Sequence, residues 1–325
     1  MLLAALAVIA GLLLLTFAAD RFVSSASIVA RTLGMSPLLI GMLIIGFGTS
    51  TPEIFVSVNA AWQDNPGLAL GNAYGSNIIN VAVILGLTAL LAPIAVQSAV
   101  VRREIPLLLA ATALTLALVY HDGHLGRNDG VMLLVMFLFV MGWSIRQGMN
   151  SRDDQLAREV ELEVGAPREG CQLAVQIIWL LVGLVLLILS SRILVWGAVH
   201  IAQALGLSDL VIGLTIVAIG TSLPELASSL VAVRKGEHDL VLGNIIGSNL
   251  FNTLIVAGLT VVISPVMASA ELLRRDLPVM VALTLALLLV ALSCSGRPRR
   301  IGRLEGGVLL FGYVAYLAWI LVSLG

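Results

Sequence analysis

Uncharged apolar runs of membrane-crossing length are the strongest constraint on this chain. Residues 2–19, LLAALAVIAGLLLLTFAA, carry no charged side chain, and neither do residues 173–191, LAVQIIWLLVGLVLLILSS. A helix rises 1.5 Å per residue, so about 20 apolar residues cross the hydrocarbon core of a bilayer. Such spans are expected at 1–20, 36–62, 67–92, 104–121, 130–147, 173–200, 207–233, 239–267, 276–294 and 304–324. Composition agrees: 59% of the 325 residues are hydrophobic and 11% charged, with a mean hydropathy of +1.05, where a soluble domain carries about 25% charged residues. The fold class is therefore an all-α membrane protein with ten transmembrane helices. Its surroundings are the lipid bilayer, and nothing calls for a nucleic-acid partner. Met1 leads directly into apolar residues without a basic n-region, so the first segment is expected to stay as a helix rather than be cleaved as a signal peptide.

The chain repeats itself. SPLLIGMLIIGFGTSTPEIFVSVNAA from Ser36 aligns with SDLVIGLTIVAIGTSLPELASSLVAV from Ser208 at an offset of 172, and 24 of 58 positions are identical through Pro93 and Pro265. GRNDG at 126–130 echoes GRLEG at 302–306 with four residues more offset. Residues 1–147 then form a first repeat, 148–172 a hydrophilic connector and 173–325 a second repeat. Five helices per repeat is an odd number, so the second copy enters the membrane from the opposite side, an inverted-topology design common in transporters. With the N-terminus outside, 14 of the 18 Lys and Arg fall in cytoplasmic loops and 4 outside, which orients both termini outward. Cys171 and Cys294 then lie near the reducing side and are expected as plain thiols, without metal or redox spacing. The connector, RQGMNSRDDQLAREVELEVGAPREG from Arg146, reads as a solvated link. His121, His124, His200 and His238 lie near span ends.

The polar residues that the repeat keeps carry the chemistry. Of 19 acidic residues only Glu53 and Glu225 lie well inside long apolar runs, with no Lys or Arg in the same helices. A carboxylate in lipid costs a few kcal/mol or more, so it neutralises or binds something positive. Thr49 and Ser50 precede Glu53 by four and three residues, and Thr221 and Ser222 precede Glu225 likewise. On a helix this spacing shares a face. On the following helices Asn72, Ser76 and Asn80 recur every four residues, copied as Asn244, Ser248 and Asn252. For Asn72, Asn77 and their copies a helix-packing role fits equally. Pro52 and Pro224, beside glycines, free main-chain carbonyls, tolerated at membrane depth where they line a cavity or lie inside protein. Carboxylates, hydroxyls and carbonyls in a flexible cage suit calcium, whereas magnesium keeps its waters and a strict octahedron. The absence of a Cys or His cluster speaks against zinc or copper selectivity.

GTSTPE with GNAYGSNIIN, repeated as GTSLPE with GNIIGSNLFN, resembles the paired α-repeats of the calcium/cation antiporter superfamily, and most of all its compact prokaryotic sodium/calcium exchangers. The resemblance spans essentially the whole chain. It implies ten helices in two inverted halves, both termini outside, in an inner membrane, with calcium exchanged for sodium. It further implies Glu53 and Glu225 as shared calcium and sodium ligands, with Thr49, Ser50, Thr221 and Ser222 adding hydroxyls or main-chain oxygens. Ser76 and Ser248 would complete outer sodium positions, and the carbonyls of Gly46 and Ala218 would supply main-chain ligands. Asn80 and Asn252 hold the last polar position of each GSNxxN. Several exchangers have Asp where this chain has Asn252, which bears on stoichiometry, potassium dependence and the choice of sodium or proton. In the family the first and sixth helices slide over the rest. A monomer without a resident cofactor is expected. Proton/calcium antiport and a passive cation channel stay open as alternatives; an intramembrane enzyme is not supported, since no Ser/His or paired-Asp arrangement is present.

Overall fold

A computed structural model describes residues 1–33, 35–97, 100–150, 171–206, 218–292 and 300–323. In chain order these form α1 (Leu2–Leu33), α2 (Pro37–Thr49), α3 (Thr51–Trp62), α4 (Pro66–Leu91), β1 (Ile94–Ala95), α5 (Ile105–Asp122), β2 (His124–Leu125), α6 (Arg127–Asn150), α7 (Cys171–Ala204), α8 (Ala218–Thr221), α9 (Leu223–Arg234), α10 (His238–Ile263), β3 (Val266–Met267), α11 (Leu277–Leu292), β4 (Arg300–Ile301) and α12 (Arg303–Ser323). Eight described helices are long and apolar enough to cross a membrane, and α2 with α3, bent by 45°, makes a ninth when taken as one span. The remaining expected span, 207–233, begins among residues outside the described set; of the 148–172 connector, residues 151–170 lie outside it too, as does Cys294, while its two ends belong to α6 and α7. The outward residues are those a bilayer requires: Leu13, Leu138, Phe311 and Val322 are exposed, while Ser57, Asn77, Thr88, Thr112, Asn244 and Thr260 are buried. This reverses the soluble pattern and marks a membrane protein.

The chain divides into two compact units, one of Met1–Thr49 with Phe139–Asn244, the other of Ser50–Leu138 with Ile245–Gly325. In the first unit α1 and α7 pack along their lengths. Gly11 lies against Leu194, Gly183 against Phe22, and Gly197 against Ala4 and Val8. Numbers rise along one helix as they fall along the other, so the pair is antiparallel. Gly183 is the repeat copy of Gly11 and Leu194 of Phe22, so the crossing maps onto itself when the repeats are exchanged. Glycine permits such close approach because no Cβ intervenes.

α1 runs on to Leu33, well past the end expected at residue 20, because its first charges are accommodated. Asp20 pairs with Lys235 at 2.7 Å, Lys235 Nζ also donates to Ser24 Oγ, and Ser27 donates to Glu237 at 2.7 Å. The Arg21 guanidinium lies over the rings of Phe17 and Trp179 at 5.5 and 5.3 Å, a cation–π arrangement. Beside this ion pair is an open groove of about 490 Å³ lined by Leu13, Phe17, Val231 and Arg234 among others; it sits at the far end of α9 from Glu225.

In the second unit, α4 packs on α3 and α12, and α10 packs on α3 and α4. A Cβ on Gly306 would lie 2.7 Å from the carbonyl of Gly86, and one on Gly130 would lie 2.7 Å from that of Gly258. Gly258 is the copy of Gly86, and Gly306 of Gly130, so the same crossing is built twice. The short strands follow suit. β1 pairs antiparallel with β4, Ile94 opposite Ile301, and β2 with β3, His124 opposite Met267. Each repeat's first strand thus pairs with the other repeat's second.

Candidate cation site

The two motifs fold alike because proline and glycine force the same break. Pro52 and Pro224 sit at the starts of α3 and α9. Neither can donate to the carbonyl four residues back, so the helix stops and restarts at Ser50 (φ −81°, ψ 3°) and Ser222 (φ −91°, ψ 11°). In the second motif the carbonyl of Gly220 is taken up by the Ser191 hydroxyl at 2.8 Å. The break corrects one expectation. Thr49 and Glu53 lie on opposite sides of it, as do Thr221 and Glu225, so the four-residue spacing is not one turn of a continuous helix, whereas Ser50 and Ser222 are the N-cap residues of the helices that carry the glutamates. What places Glu53 and Glu225 is their seat in the first turn of α3 and α9, where the helix dipole favours negative charge.

In the second unit, Glu53 is 1% exposed. Asn72 donates to the main-chain oxygen of Glu53 at 3.3 Å and to Ser57 Oγ at 3.0 Å, and Ser57 donates to the carbonyl of Ala69 at 3.3 Å. Ser50, Ser76, Asn80, Ser248 and Asn252 are all buried here. Asn80 Nδ2 donates to Asn249 Oδ1 at 3.0 Å, and Asn77 Nδ2 to Thr253 Oγ1 at 2.7 Å. Asn80 opens one π-helical turn, Asn80–Leu85, and Asn252 lies in another, Phe251–Val256. Turns of this kind widen a helix and recur at functional sites. α3, which carries Glu53, packs against the turn containing Asn252.

In the first unit, Glu225 is 2% exposed. Asn244 Nδ2 donates to its main-chain oxygen at 3.2 Å, to Ser229 Oγ at 2.9 Å and to Ser228 Oγ at 3.4 Å. Thr49 donates to Asn244 Oδ1 at 3.2 Å and to the carbonyls of Ile45 and Gly46 at 2.9 and 3.5 Å. One asparagine therefore ties the first motif's threonine to the second motif's glutamate turn. Ser222 is buried, Thr221 half-buried, Gly46 buried, and Ala218 opens α8.

Each carboxyl group has contacts of its own, and in each the Oε2 atom accepts no hydrogen bond among the described residues. Among those residues no three His, Cys, Asp or Glu gather into a metal cluster. Asn72 and Asn244 hold the main chain of the glutamate turns, the packing role their spacing allowed. Ser57, Ser228, Ser229 and Thr253 were not singled out from sequence, whereas Asn249 was weighed there as the copy of Asn77. Ser57 and Ser229 carried a readable signal, since they are identical in the two repeats.

A family model described as sodium/calcium exchanger protein matches residues 3–146 and 175–322. The CaxA protein of Alkalimonas amylolytica is 49% identical over 317 residues, covering 97% of this chain and 98% of that one. The sodium/calcium exchanger MaX1 of Methanosarcina acetivorans is 32% identical, covering 94% and 95%. A solved structure of the sodium-calcium exchanger NCX_Mj matches with a TM-score of 0.83 at 31% identity, covering 98% of this chain and 99% of that one. With both repeats inside the family match and the fold shared over nearly all its length, the chain belongs to the sodium/calcium exchanger family.

Proposed function

We propose that this protein is a secondary antiporter that exchanges calcium for sodium by alternating access. The observation that carries the reading is the pair of glutamates, each almost fully buried in the first turn of a Pro-started helix, at matching points of a duplicated motif. Glu53 and Glu225 supply the charge that calcium requires. Thr49, Ser50, Thr221, Ser222, Ser76, Ser248, Asn80 and Asn252 add neutral oxygens, and Gly46 and Ala218 their carbonyls. Sodium displaces calcium because one pair of carboxylates cannot serve a full load of both. If three sodium ions replace one calcium, each cycle moves one net charge, worth about 2.3 kcal/mol per 100 mV.

Ten helices in two inverted repeats is the architecture we assign. The antiparallel, self-mapping crossing of α1 and α7 and the reciprocal strand pairs support it. The arginine distribution supports both termini outside, in a plasma or inner membrane. α1 and α7 are the sliding elements, and the protein works as a monomer without a resident cofactor.

Proteoliposomes given sodium, potassium and pH gradients separately test the coupling. Uphill calcium uptake is expected with the sodium gradient alone. Uptake driven only by the pH gradient would make the protein a proton/calcium antiporter, and calcium moving only downhill would make it a channel.

A further inference from the structure

The two repeats carry the same asparagines but bond them differently. Asn80 and Asn252 are copies, as are Asn77 and Asn249. Asn80 Nδ2 donates to Asn249 Oδ1 at 3.0 Å, which commits the nitrogen and leaves Asn80 Oδ1, buried in a residue only 1% exposed, with no hydrogen-bond partner among the described residues. The reciprocal bond, from Asn252 to Asn77, is not made. Asn77 Nδ2 instead donates to Thr253 Oγ1 at 2.7 Å and contacts Met280 Sδ at 3.5 Å. Thr253 stands where the first repeat has Val81, which offers no acceptor. Both polar atoms of the Asn252 side chain are left without a partner among the described residues, also at 1% exposure.

We propose that Asn249 is a positioning residue that fixes the Asn80 amide with Oδ1 as the cation ligand, and that Thr253 removes the equivalent support from Asn252. This rests on the exchanger reading above. A preset oxygen meets the cation without a reorientation cost, whereas an unanchored amide must first be turned. The neutral ligands of the two repeats are therefore unequal: Asn80 is preorganised and Asn252 adapts to the ion present. Burying an amide without partners is costly, so a sequence that keeps Asn252 in that condition gains something when the cation is bound.

The test is calcium uptake into sodium-loaded proteoliposomes, with KM and kcat measured separately. N249L should raise the calcium KM about fivefold, the effect of one hydrogen bond, with kcat much less changed. T253V releases Asn77, so it should leave KM unchanged or lower it; T253S, which keeps the hydroxyl, should match wild type. An unchanged KM in N249L, or a KM raised by T253V as much as by N249L, overturns the proposal. If N249L is not recovered folded, N249S, whose hydroxyl falls short of Asn80, replaces it with the same expectation. Normal exchange in E53Q and E225Q would sink the underlying site, whereas loss of exchange in those variants with normal KM in N249L sinks only this inference.

Discussion

Glu53 and Glu225 stand out from the other acidic residues by the depth of their burial, 1% and 2% exposed against 9% for Glu104, the other buried acidic residue among those described. That burial was legible from the sequence, since an acidic residue in a long apolar run that recurs at the same repeat position has few solvated places to go. The hydrogen bonding around them was only half legible. Asn72 and Asn244 were visible as repeated polar residues, but their attachment to the glutamate main chain depends on helices meeting, which spacing along one helix does not record. Thr49 shows the same limit from the other side. Its four-residue spacing to Glu53 means little once the helix breaks at Ser50, and its hydroxyl bonds to Asn244, 195 residues away. Asn244→Leu should therefore weaken both attachments: we expect calcium exchange to fall at least tenfold, the order of losing two or three buried hydrogen bonds, while the folded protein is still recovered from membranes. Exchange within twofold of wild type, measured as initial uptake rate, would show that the motifs hold themselves without it.

α1 ends where its charges can be satisfied, not where its apolar run stops. Asp20 and Arg21 read as a boundary because a charge in lipid is costly; the partners that remove the cost, Lys235 and the Trp179 ring, lie more than 150 residues away in sequence. The Asp20–Lys235 pair has no copy when the repeats are exchanged, since the matching positions are Arg192 in the second repeat and Gln63 in the first. If α1 slides, this one-sided tie slows it. Lys235→Ala should raise the turnover rate while thermal unfolding hardly moves, because an exposed pair contributes only about 0.2–1 kcal/mol. A lower melting temperature with unchanged turnover would make the tie a static brace. The glycine crossings predict the opposite balance. Gly130→Val drives a side chain into the carbonyl of Gly258, and overpacking costs about 1–3 kcal/mol. Gly306→Val should match it as the equivalent crossing, and Gly142→Val, with nothing within 4 Å, should be near neutral in detergent melting experiments. The π turns at Asn80–Leu85 and Phe251–Val256 had no sequence signature, since one extra residue in a helical turn leaves the apolar pattern almost unchanged.

The duplication is legible at the scale of the whole chain, because matched polar residues recur at one offset in two related halves. The strand exchange was not readable, because β1 to β4 are two residues each and follow ordinary loop sequence. The proposed orientation has its own check. With Cys171 and Cys294 replaced by serine, single cysteines at positions 2 and 323 should both react with a membrane-impermeant thiol reagent in intact cells; labelling at only one would contradict an arrangement with both ends outside. The proposed exchange turns on two carboxylates serving one cation load. Its most direct test is sodium-gradient-driven uptake of radioactive calcium into proteoliposomes containing wild type, E53Q or E225Q. Uptake is predicted for wild type and none above the empty-vesicle background for either variant; normal uptake by either one would contradict the site.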